Sequence, residues 1–104
     1  LSVYAAAFGN SGFRGPINRY RAQELDKTQL VDHRGKLLEQ PCCLIAGERD
    51  AVRNFIPGMD LYENAAAGCS DYRGTTIIKA AGHWVQQEAP AQTNAALDQF
   101  LQGL

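Results

Sequence analysis

A chain of 104 residues, 45% apolar and 20% charged, has the size and mixture of at most one compact domain, with too many apolar positions for disorder. Ten basic residues against eleven acidic ones leave a formal charge of −1, which excludes a basic nucleic-acid footprint. No apolar run approaches the roughly 20 residues of a membrane-spanning helix.

The chain opens on the apolar run Leu1-Ser2-Val3-Tyr4-Ala5-Ala6-Ala7-Phe8. It lacks the charged leader of a signal peptide, and Ser2 and Tyr4 interrupt it. With no initiator methionine, and Met59 as its only Met, the chain reads as one cut inside a domain. Pro16 suits a helix start. Ile17, Tyr20, Glu24 and Leu25 follow at helical spacing, which predicts a helix over about Pro16–Asp26. Lys27 to Glu39 is polar and mixed, with Asp32-His33-Arg34-Gly35 as a turn, and reads as a lid-like connection or a further short helix.

Pro41-Cys42-Cys43-Leu44-Ile45-Ala46-Gly47 then reads as a strand buried on both faces, as in parallel sheets. After the loop Glu48-Arg49-Asp50, a short helix is predicted at Leu61–Ala67. The β-branched run Gly74–Ala80 predicts a second strand, ending at Ala81-Gly82-His83. Pro90 opens a last helix, where Leu97, Phe100, Leu101 and Leu104 recur at i, i+3, i+4 and i+7. Helices alternating with strands imply an α/β fold of parallel strands with crossover helices. Two such strands need neighbours that this chain does not supply, so either the sheet is small and partly exposed or its other strands lie outside this sequence.

Three cysteines, two of them adjacent, read as buried free thiols in a reducing cytoplasm. No spacing of Cys or His suggests a metal site.

In open α/β sheets, sites form at the carboxyl ends of the strands. Asp50 follows the first strand and His83 the second, so adjacent strands would bring them together. A carboxylate on one imidazole nitrogen fixes the tautomer and leaves the other free to take a proton. Both residues also have ordinary structural readings, the histidine beside Trp84 as a packed residue and the aspartate as a helix cap. Glu48 competes for the acid role, and His33 reads as a solvated turn residue.

Three blocks carry a family resemblance. Gly82-His83-Trp84-Val85-Gln86-Gln87-Glu88-Ala89-Pro90 resembles the histidine loop of α/β-hydrolase-fold epoxide hydrolases. Ser11-Gly12-Phe13-Arg14-Gly15-Pro16-Ile17-Asn18-Arg19-Tyr20-Arg21 is similar to the cap segment carrying one of that family's two catalytic tyrosines. Gly47-Glu48-Arg49-Asp50-Ala51-Val52 resembles its acid loop. The blocks stand in the family's order, and acid before histidine follows the α/β-hydrolase chain order. Arg19 departs from the pattern, standing where many relatives carry an aromatic residue.

The resemblance implies the C-terminal part of an α/β-hydrolase fold, with residues 1–38 as the end of a helical cap and 39–104 as core. It implies Tyr20, Asp50 and His83 as catalytic residues, with Phe13 and Trp84 at the substrate pocket. The expected reaction is epoxide hydrolysis to a vicinal diol through a covalent ester, with water as co-substrate and no metal or organic cofactor. The nucleophile, the oxyanion-hole loop and a first cap tyrosine are expected upstream of Leu1, in the N-terminal part of the same enzyme, so these 104 residues alone should be inactive. A dehalogenase or esterase sharing the acid and histidine loops, or a non-catalytic fragment, stands as the alternative. No nucleic-acid or membrane partner is expected, and a homodimer is left open.

Overall fold

The computed structural model describes all residues, 1–104. The chain divides into two compact units, Leu1–Gly35 and Lys36–Leu104.

The first unit is helical. Helix α1 covers Ser2–Ser11, where the sequence suggested only an apolar run; three successive alanines favour it by propensity. Helix α2 spans Arg14–Arg21 and α3 spans Gln23–Gln29. The single predicted helix over Pro16–Asp26 is therefore two, separated by one turn residue, Ala22. The break is slight: Ala22 N–H still donates to Asn18 O, and Asp26 N–H to Ala22 O, both at 2.9 Å. Pro16 stands in the first turn of α2, where its missing N–H removes no helical bond. A short 3₁₀ turn at Val31–His33 follows. None of these elements has a buried residue. Phe8 and Phe13 stack with ring centroids 4.5 Å apart.

The second unit is built on two parallel strands, β1 at Cys42–Gly47 and β2 at Tyr72–Ile78. The register pairs Leu44 with Thr75 and Gly47 with Ile78, but Cys42 with Tyr72. Between the Cys42–Tyr72 and Leu44–Thr75 rungs β1 spends one residue, Cys43, and β2 spends two, Arg73 and Gly74. This is a bulge, and Gly74 absorbs it at φ 115°, where a side chain would be strained. Strand β2 thus begins two residues earlier than the β-branched run alone indicates.

Helix α4 covers Val85–Glu88 and α5 covers Pro90–Gln102, with Pro90 in its first turn. The Thr93 hydroxyl donates to Val85 O at 3.0 Å and Ala89 O at 2.9 Å, which ties the two helices together. The expected helix at Leu61–Ala67 is instead a turn followed by a 3₁₀ segment at Ala65–Gly68.

The core is small. Ile78, Ala81, Val85 and Ala89 form it, with Ile45 packed against them. Strand β1 was expected to be buried on both faces, yet Cys42–Ile45 are only half-buried. The three cysteines are free and half-buried rather than buried. Leu97, Leu101 and Leu104, on the apolar stripe of the last helical segment, remain exposed. The common cause is a sheet of two strands, too narrow to cover what parallel strands ordinarily bury.

No helix is long and apolar enough to cross a membrane.

Candidate functional site

The site lies at the carboxyl ends of β1 and β2, within the second unit. Past its last strand residue, β1 stays bonded to the neighbouring chain. Glu48 N–H donates to Ile78 O at 3.0 Å and Arg49 N–H to Ala81 O at 2.9 Å. Gly47 makes this approach feasible. A Cβ there would sit 2.7 Å from the Ala81 carbonyl carbon and closer still to the Ala81 and Gly82 carbonyl oxygens. All three are backbone atoms and cannot rotate away.

Asp50 ends the first loop, buried at 5% exposure. It caps the 3₁₀ turn Ala51–Asn54, its Oδ1 accepting from Val52 N–H at 2.9 Å. Its Oδ2 lies 2.8 Å from His83 Nδ1. A carboxylate only accepts, so Nδ1 carries a proton, and in the neutral imidazole the lone pair is the one on Nε2. The His83 side chain is 54% exposed, which leaves Nε2 open to solvent. The other acid candidate goes elsewhere: Glu48 Oε2 accepts from Ala80 N–H at 3.0 Å. Ala80 holds φ at 61°, a left-handed conformation costing roughly 1 kcal/mol for a residue with a Cβ. That bend turns the chain from β2 towards His83.

Two residues of this site were not singled out from sequence. Tyr62 donates its hydroxyl to Asp50 Oδ2 at 2.5 Å, so one carboxylate oxygen serves both the phenol and the imidazole. Glu88 spans the histidine loop, Oε2 accepting from Gly82 N–H at 2.7 Å and Oε1 from Trp84 N–H at 3.1 Å. It thereby pins the backbone on both sides of His83. Glu88 lies four residues after the N-cap Trp84, one beyond the capping-box position and with no Ser or Thr at the cap, so no spacing rule singles it out. Tyr62 lies twelve residues beyond Asp50 in an irregular stretch, where no periodicity joins them.

Burial pushes the Asp50 carboxyl upward, but the Tyr62 hydroxyl, the His83 ring N–H and the Val52 N–H outweigh it and hold Asp50 below the ordinary carboxylate value. The Tyr62 phenol is pushed up to about 12 by burial and by the Asp50 carboxylate, so it stays a donor at neutral pH. Arg53 and Asp60 pair beside it at 2.6 Å.

Of the remaining candidates, Trp84 presents its ring edge-on to His83 with centroids 5.1 Å apart. Phe13 and Tyr20 belong to the first unit. Tyr20 lies on α2 and is 72% exposed, and His33 ends the 3₁₀ turn Val31–His33. No three His, Cys, Asp or Glu side chains converge as a metal site would require.

An acid-oriented histidine with a free Nε2 can deprotonate water; it does not by itself specify a substrate. Over its whole length the chain is 41% identical to epoxide hydrolase B of Mycobacterium tuberculosis, of which it spans 29%. Among solved structures, epoxide hydrolase A from Mycobacterium thermoresistibile matches with a TM-score of 0.81 at 36% identity, over 99% of this chain and 31% of that one. A laboratory-evolved variant of potato epoxide hydrolase matches at 0.82 and 26% identity, over 99% and 33%. No family model matches. The chain spans about a third of the length of these relatives. What the 104 residues match, from end to end, is a fragment of an α/β-hydrolase epoxide hydrolase.

Proposed function

We propose that this chain supplies the water-activating part of an epoxide hydrolase, with Asp50 and His83 as the acid and base of a catalytic triad and Tyr20 as one of two phenols holding the epoxide oxygen. The carrying observation is the 2.8 Å contact between His83 Nδ1 and a buried Asp50, in a chain that resembles epoxide hydrolases throughout. The relatives are about three times longer, which leaves room for a nucleophilic carboxylate upstream of Leu1. Residues 1–38 are then the end of a helical cap and 39–104 part of the catalytic core. Phe13 and Trp84 are pocket-lining residues in this reading. Three free cysteines favour the reducing cytoplasm as its compartment.

The chemistry runs in two steps. An upstream carboxylate oxygen bonds to an epoxide carbon as the C–O bond of the ring breaks. The released oxygen takes its stabilisation, and then a proton, from the phenols. Water next attacks the carbonyl carbon of the resulting ester while His83 Nε2 takes its proton. Collapse of that adduct expels the diol's second oxygen, which takes the proton from the His83 imidazolium. The proton left on the regenerated carboxyl passes through solvent to the phenolate, so that the carboxylate, the neutral imidazole and the phenol are all restored. Asp50 stays ionised throughout and offsets the charge on the imidazolium.

The complete enzyme should convert a styrene-oxide-type substrate to the diol, and the 104-residue segment alone should give none. Tyr20→Phe in the complete enzyme should lower the rate of ester formation roughly 10²-fold, the usual loss for one oxyanion donor. Rapid-quench measurement of the first turnover checks this. An unchanged rate would remove Tyr20 from the mechanism. Diol formation by the isolated segment would overturn the two-part reading.

A further inference from the structure

The Asp50 carboxylate accepts three hydrogen bonds, and two of them fall on the same oxygen. Tyr62 reaches Oδ2 at 2.5 Å and His83 reaches it at 2.8 Å. We propose that Tyr62 is a positioning residue whose hydroxyl draws charge from Asp50 Oδ2 and so sets the basicity of His83. This rests on His83 being the general base proposed above.

The placement of Tyr62 is built rather than incidental. Its backbone N–H donates to Asp60 Oδ1 at 2.9 Å. Asp60 Oδ2 accepts from Arg53 Nε at 2.6 Å, and Leu61 N–H donates to Arg53 O at 2.9 Å. Arg53 in turn lies in the 3₁₀ turn that Asp50 caps. The carboxylate and the phenol are therefore two ends of one closed loop of contacts, and neither can drift without breaking several. The phenol remains protonated at neutral pH, so its donation is constant over the range in which an imidazole titrates.

Of the other charged groups around the pair, Arg49 is exposed beside Asp50, and the rest are engaged. Arg53 and Asp60 neutralise each other behind the phenol. Glu48 accepts from Ala80 N–H, and Glu88 from the N–H groups flanking His83. A donor on a carboxylate spreads its negative charge and weakens its hold on a neighbouring cation. Tyr62 therefore makes the His83 imidazolium easier to deprotonate, and keeps the free base available at lower pH than Asp50 alone would allow.

The test is an NMR titration of the His83 imidazole in the complete enzyme, assigned by comparison with a His83 variant. Tyr62→Phe should move the midpoint up and shift the acidic limb of the ester-hydrolysis rate with it. Tyr62→3-fluorotyrosine, a stronger donor of nearly the same shape, should move both down. If Tyr62→Phe fails to fold, the fluorinated variant alone decides the matter. A midpoint unchanged from the wild type in whichever of these variants folds would overturn the proposal and leave Tyr62 a packing residue. The titration needs no substrate. A shifted midpoint in an enzyme that forms no diol would therefore support the role of Tyr62 while refuting epoxide hydrolysis, whereas diol formation with an unmoved midpoint would do the reverse.

Discussion

Gly47→Ala in the complete enzyme is expected to cost about 3 kcal/mol or more of stability, at or above the upper end for overpacking, and to lower activity at least as far as the lost stability. The added Cβ meets the Ala81 carbonyl carbon at 2.7 Å and the neighbouring carbonyl oxygens closer still. It can be housed only by moving the end of β1 away from the segment leading to His83. Such a movement pulls on the Glu48-to-Ile78 and Arg49-to-Ala81 bonds and on the Asp50–His83 contact three residues further along. A displacement near 1 Å at a reacting centre can cost about 10²-fold in rate. Gly68→Ala supplies the control, because no atom lies within 4 Å of the position its Cβ would take. The unfolding midpoint should fall sharply for the first variant and barely move for the second. Equal midpoints would mean that the two strand ends are not held as tightly as their backbone contacts indicate.

The parts of the site legible in the sequence are those tied to strand ends. Cys42–Gly47 is an apolar run bounded by a proline and a charged loop, so its limits, and Asp50 just beyond them, follow from composition. His83 is found for the same reason, after a β-branched run. The start of β2 was misplaced because Tyr72 and Arg73 carry no apolar alternation, and the bulge at Gly74 lets them pair all the same.

The Leu61–Ala67 stretch looked helical because its three alanines and a leucine favour a helix individually. In the structure the stretch closes instead through i→i+3 turn bonds, Glu63 N–H to Asp60 O and Ala65 N–H to Tyr62 O, both at 3.3 Å, with the Asp60 carboxylate accepting from Tyr62 N–H at its start. That same turn delivers Tyr62 to Asp50, a contact that depends on tertiary closure and has no signature in spacing. The stripe of Leu97, Leu101 and Leu104 was correctly periodic. It stays exposed because burial depends on what packs against a helix, and two strands offer too little.

Loss of His83 should have the largest effect on turnover. Without a base, water must attack the ester unaided, and a general base is worth roughly 10²–10⁴-fold. His83→Gln keeps a similar volume and a group able to bond Asp50, but no usable lone pair at the position of Nε2. The first step should proceed, since it draws on the upstream carboxylate and the phenols, and the second should stall. The complete His83→Gln enzyme would then consume about one equivalent of epoxide and release almost no diol. Intact-mass spectrometry of this variant after mixing with a styrene-oxide-type substrate reads that state directly. The expected result is an enzyme heavier by one substrate molecule, with the added mass on a peptide upstream of Leu1. An unmodified enzyme that still turns over at the wild-type rate would contradict the assignment of His83 as the base.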